Sequence, residues 1–159
     1  MGRLDPGELG RRLDDILAAA ERMIRVVPEP ALDEALRDQA FRIFRLGLAF
    51  ADGMDLGRFP GDWRQEPAPA DLRDGAAVAR YGALVRGRLA GWFEGAGARE
   101  FARTIAVDDG PQPGLDLLER VAAAAAEALR ALHATLARRG LGSREPLPAA
   151  VHGLPTRPW

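Results

Sequence analysis

The sequence predicts an all-α protein, a four-helix bundle with long connecting loops and an irregular C-terminal tail. Four stretches repeat apolar residues at helical spacing, and each is bounded by capping or breaking residues. Two long connections and one short one join them, which suits a bundle. A chain of 159 residues buries about two thirds of the surface its unfolded form exposes, enough for one independent core. Residues 1–159 are therefore expected to form a single domain.

The first helix is expected over 6–27. Asp5, Pro6 and Glu8 make a capping box with proline at the first helical position. Leu9, Leu13, Ile16, Leu17, Ala20, Met23, Ile24 and Val27 then share one face until Pro28 and Pro30 end the run. A second helix is expected over 31–54, with Leu32, Leu36, Ala40, Ile43, Phe44, Leu48 and Phe50 as a broad apolar stripe. The loop from Asp55 to Ala70 is rich in glycine and proline, and its Phe59 and Trp63 are expected to fold over the bundle.

Asp71, with Asp74 three residues on, is the expected cap of a third helix over 72–94, whose inner stripe is Val78, Tyr81, Val85, Leu89 and Trp92. Gly95 and Gly97 stop it. The segment FARTIAVDDGPQPG reads as extended chain ending in a turn. The fourth long helix, 114–139, has Leu118, Val121, Ala125, Leu129, Leu132 and Leu136 as its seam and Gly140 as its stop. Five consecutive alanines in its middle favour helix and let neighbouring axes approach closely. The tail, 140–159, has no period and is expected to wrap the surface, anchored by Val151, Leu154 and Trp159.

Composition narrows function mainly by exclusion. A net charge of −1 supplies no field that would draw the chain onto a phosphate backbone, so nucleic acid is not an expected partner. There is no cysteine, which removes thiolate nucleophiles, zinc fingers and disulfides. No apolar run reaches the roughly 18 residues of a membrane span, and no signal core follows the N-terminus. A cytoplasmic location is expected. No nucleotide loop, nucleophile elbow or dinucleotide fingerprint is present.

Three stretches, AVARYGALVRGRLAGWF, TIAVDDGPQPGLDLLERVAAAAAEAL and the terminal GLPTRPW, together resemble the DinB-like (damage-inducible, YfiT-like) family of bacterial four-helix bundles. The subgroup sometimes fused to glutaredoxin is the nearest in pattern, and the resemblance covers about Arg37 to Trp159. It implies a bundle core in which three histidines hold a divalent metal, one on the second helix and an HxxxH pair on the fourth. It also implies thiol-dependent S-transferase or isomerase activity. An i, i+4 pair stands on one helix face, and imidazole suits zinc or nickel.

Placed on this chain, the second-helix histidine falls on Arg42 and the HxxxH pair on Ala124 and Ala128. The family's tryptophan before that pair becomes Ala123, and its paired tyrosines become Asp108 and Asp109. Alanine has no donor atom and a guanidinium cannot ligate a dication, so the family's site cannot form and no cofactor is expected. His133 and His152 stand apart from one another and are expected to be isolated polar side chains.

A guanidinium aimed into a bundle stays charged and needs a carboxylate or an anionic ligand. Asp38, one turn away, is the expected partner, with Glu127 as the other candidate. The alternative is a pocket in which Arg42 receives an anion. Asp108 and Asp109 read as turn residues, and Glu119 and Arg120 as salt-bridging residues.

Three functions follow as expectations. The first is a degenerate family member that binds a small anionic or amphipathic molecule in the residual pocket around Arg42, Asp38, Tyr81, Ala124, Glu127 and Ala128. The second is a metal-independent transferase or isomerase in which Arg42 orients a substrate carboxylate, with Glu127 or Tyr81 as acid or base. The third is a structural homodimer. Metal analysis of purified protein is expected to find less than about a tenth of an equivalent of zinc or nickel, since no ligand set is left; a full equivalent would contradict the assignment of the three substituted positions.

Overall fold

The computed structural model describes residues 3–142 and 146–154. Helix α1 (Pro6–Arg25) opens as expected: the Asp5 side chain accepts the Glu8 N–H at 3.0 Å, with Pro6 at the first position. Only half of the capping box forms. The Glu8 carboxylate turns instead to Arg11 and Arg12, at 2.6 and 3.1 Å. A single 3₁₀ turn, Glu29–Ala31, follows the prolines.

Helix α2 (Glu34–Leu56) begins three residues later than the apolar pattern implied, because Asp33 supplies the cap, accepting from the Leu36 N–H at 2.8 Å. It closes on Gly57 at φ 78°. That left-handed turn favours glycine. An added Cβ there would also meet the Arg103 guanidinium at 2.8 Å.

Helix α3 (Gly75–Gly95) is capped by Asp74, which accepts from Ala77 N–H at 2.8 Å; the expected cap, Asp71, lies outside the helix. The reason is steric. A Cβ on Gly75 would stand 2.2 Å from the Ile24 carbonyl oxygen, so the chain enters α3 where only glycine can pass the end of α1. One turn, α4 (Ala98–Ala102), replaces the start of the expected extended segment. Its Glu100 carboxylate accepts the Gly97 N–H at 2.7 Å, and its buried Phe101 sits edge-on to Trp92 at 5.4 Å.

The remainder of that segment is extended. Strand β1 (Thr104–Ile105) pairs antiparallel with β2 (Gln112–Pro113) and leads into helix α5 (Gly114–Arg138). Helix α1 packs on α3 and α5, and α2 packs on the same two helices, so the four long helices form a ring around one core. Leu13, Ile16, Phe44, Phe50, Leu118 and Leu129 are among its fully buried members. Three of the five consecutive alanines, Ala122, Ala125 and Ala126, are buried in this packing.

Both long connections lie on the bundle. Phe59 is buried and Trp63 half-buried against the core. Backbone bonds of 2.9 Å from Phe59 N–H to Ala106 and from Ala106 N–H to Gly57 tie the two loops together. In the tail Val151 is buried and Leu154 packs on the core; the third expected anchor, Trp159, falls outside the described residues. Among those residues, no helix is long and apolar enough to cross a membrane.

The separation of α2 and α3 is set where the Phe44 ring occupies the space a Gly82 side chain would need, with a Cβ placed 2.5 Å from the ring. Phe44 is fully buried and has nowhere to move. Gly82→Ala is expected to cost about 1–3 kcal/mol, the usual range for overpacking a filled core. A denaturant midpoint equal to wild type would show that the two helices do not meet this closely.

Candidate functional site

On α2, Phe41 and Phe44 turn to α3, where both rings meet Tyr81. Arg42 lies about 100° around the helix from Phe41, on the flank away from α3. The other helix packed on α2 along the ring is α5. Arg42 is half-buried, and its Nε is buried without a hydrogen-bond partner.

The expected ion pair with Asp38 does not form. Asp38 instead accepts the Ala68 N–H at 2.9 Å, because the loop between α2 and α3 folds back along this helix and its backbone donor needs an acceptor. Glu127 is exposed, and no ion pair joins it to Arg42 among the described residues. Arg37 on α2 also has a buried Nε without a partner. Arg45, one turn beyond Arg42, is by contrast held by Glu66 and by Asp62 at 3.8 Å, both from the loop.

Ala124 and Ala128 are half-buried on one flank of the α5 seam, packed against the core. Glu119, on the opposite flank, pairs with Arg3 just before α1. Arg120, on the same flank as the two alanines, pairs with Asp109 at 3.0 Å. With α1 and α2 as the long neighbours of α5, the alanine flank is the α2 side. Helical phase thus puts Arg42 and the two alanines on neighbouring flanks of adjacent helices.

Tyr81 belongs to another flank. Its ring stacks on Phe41 at a centroid distance of 5.1 Å and meets Phe44 edge-on at 6.4 Å. Burial raises its phenol above the ordinary 10.0, and the charges bearing on it are Arg45, Glu66 and Asp52. Tyr81 thus remains a proton donor at neutral pH and is not brought to Arg42.

The two-aspartate turn does more than turn. Asp109 holds Arg120, a guanidinium only 6% exposed, and that hydrogen bond depresses the Asp109 carboxyl below its ordinary 3.8. The salt bridges expected of Glu119 and Arg120 form, with partners outside the helices, Arg3 and Asp109. One polar cluster escaped the sequence reading: Arg86 of α3 grips Asp14 at 2.8 Å and reaches the buried Glu21 at 3.2 Å, both on α1. Its signal was Glu21 itself, a carboxylate one turn after Leu17 on the apolar face.

Among the described residues, no three His, Asp or Glu side chains converge as a metal would require. A groove of about 650 Å³ opens between α1 and the end of α3, lined by Gly10, Leu13, Leu89, Phe93 and Phe101. It lies on the α1–α3 side of the ring, and neither Arg42 nor the two alanines line it.

Fold and site together define an all-α bundle whose helix α2 carries a half-buried cation, Arg42, with no carboxylate partner among the described residues. No protein-family model matches the chain, and no curated protein or solved structure is significantly similar to it.

The Asp109–Arg120 pair gives stability a definite pH dependence. The folded-state value of Asp109 is lowered, so its contribution is complete above 3.8 and disappears as pH falls through the depressed value. Asp109→Asn is expected to melt lower than wild type at neutral pH, with the two curves converging in acid. Thermal melts from about pH 7 to about pH 2 measure this, and a gap that stays constant would remove the carboxylate from any role in holding Arg120.

Proposed function

We propose that this chain is a metal-free bundle protein that binds a small anionic or amphipathic molecule, most simply one bearing a carboxylate, at Arg42 on the α2–α5 flank. The resemblance to DinB-like proteins supports a descent in which a metal ion once supplied positive charge at this place. Here the guanidinium supplies it.

The observation that carries the reading is the buried, unpartnered Nε of Arg42, next to an Asp38 already committed to the backbone of the loop. A guanidinium presents five donors in a planar fork matched to a carboxylate or phosphate. Leaving a buried donor unsatisfied is costly, and an anionic ligand removes that cost. The small side chains of Ala124 and Ala128 give the apolar part of such a molecule a methyl-lined surface to lie against. An enzymatic reading has less support, because Tyr81 faces other charges and Glu127 is exposed.

Phosphate, acetate, succinate and benzoate are suitable probes. A ligand at a hundred times its dissociation constant stabilises a fold by about 2.7 kcal/mol, which a thermal melt resolves. At least one of the four is expected to raise the melting temperature of wild type and of an Arg37→Ala control, and to leave Arg42→Ala unmoved. If no probe shifts wild type, or if Arg42→Ala responds equally, Arg42 is not an anion site.

A further inference from the structure

Helix α3 meets the core through Val78, Gly82, Val85 and Leu89. Its opposite face is open to solvent along its whole length and is made of Ala83, Leu84, Gly87, Ala90 and Gly91. Leu84 is 74% exposed, more than any other large hydrophobic residue described. A Cβ added at Gly87 or Gly91 would meet nothing within 4 Å. Packing inside the single chain therefore does not account for glycine at either position, although glycine in a helix interior is unfavourable beside alanine.

The arginines that border this face are drawn away from it. Arg86 is held by Asp14 and Glu21 of α1, and Arg88 by Asp52 and Asp55 of α2. Two charges remain on the face itself, Arg80 and Glu94, both exposed and neither ion-paired among the described residues. They stand seven residues before and seven residues after Gly87. Seven residues are close to two full turns, so both lie on the same face as Gly87, each about 10 Å from it along the axis.

We propose that this face is a homodimer interface: α3 packs antiparallel on α3 of a second copy, across a two-fold axis passing beside Gly87. A two-fold interface brings each residue before the axis against the one equally far beyond it. Leu84 then covers Ala90 of the partner subunit, and Ala83 meets Gly91 of the partner subunit. Arg80 faces Glu94 of the partner subunit, and every pair occurs twice. Glycine at the crossing lets the two backbones approach closely, since no side chain intervenes.

The charges also choose the direction. In a parallel two-fold pair Arg80 would face Arg80 and Glu94 would face Glu94, a like-charge arrangement that is disfavoured. Only the antiparallel pair satisfies both residues. One helix face is a small interface, at the weak end of specific association, so the dimer is expected to dissociate in the micromolar range. The inference does not depend on Arg42, which lies on a different helix.

Analytical ultracentrifugation of the full chain from low micromolar to submillimolar concentration tests it. The mass is expected to rise from the 17.1 kDa of one chain towards twice that value. Gly87→Leu, with its helical circular dichroism retained, is expected to stay monomeric. Arg80→Glu is expected to raise the dimer's dissociation constant about tenfold or more, and Arg80→Glu combined with Glu94→Arg to restore it. The proposal is overturned if wild type remains monomeric throughout, if its dimer is indifferent to both single changes, or if the double charge swap fails to rescue the single one.

Discussion

Helix spacing in this protein is governed by residues with little or no side chain. Phe44 fills the notch at Gly82, the Ile24 carbonyl fills the one at Gly75, and Leu17, Val85 and Leu89 close around Gly47 at 3.2–3.4 Å from where its Cβ would stand. A methyl group would collide outright at Gly75 and Gly82 and would crowd its neighbours at Gly47. The alanine run of α5 extends the same rule to the fourth side of the ring. Large side chains such as Phe50 and Leu118 are enclosed on all sides, and apart from the buried Glu21, Glu119 and Arg120 the charged groups described lie on flanks and loops.

That confinement explains how the arginines are used. With 22 basic residues and no lysine, each cation carries a long apolar stem and a planar head. The structure lays stems along the helices and fastens heads to neighbouring elements: Arg86 joins α3 to α1, Arg45 joins α2 to its following loop, and Arg120 joins α5 to the turn before it. Exposed pairs of this kind contribute little each, but those with one partner nearly buried fix which flank of a helix faces which neighbour. Arg42 and Arg37 depart from this pattern: on the same helix as Arg45, each has a buried Nε without a partner among the described residues.

Most of the fold could be read from the sequence, because apolar periodicity and caps are local signals. The apolar stripes expected over 6–27 and 114–139 are buried residue for residue, from Leu9 to Val27 and from Leu118 to Leu136, although α1 itself ends at Arg25. The misplaced cap of α3 and the unforeseen α4 had non-local causes. Asp74 displaced Asp71 as a cap because α1 ends against Gly75, and α4 formed because Phe101 finds Trp92 and Phe93. The site was legible only in part. Arg42, Ala124 and Ala128 are half-buried, but one turn of separation made Asp38 look like a partner when a loop backbone thirty residues on had already claimed it.

The hydrogen-bonded seam between Gly57–Phe59 and Ala106 joins segments that are remote along the chain and adjacent only after the helices have assembled. Loop-closure entropy opposes such a junction until the helices hold its two sides in place. It is consequently a late element of folding and an early one to loosen, because few bonds secure it and both strands beside it are two residues long. The two connections behave as one latch, so lengthening either loop would disturb the other.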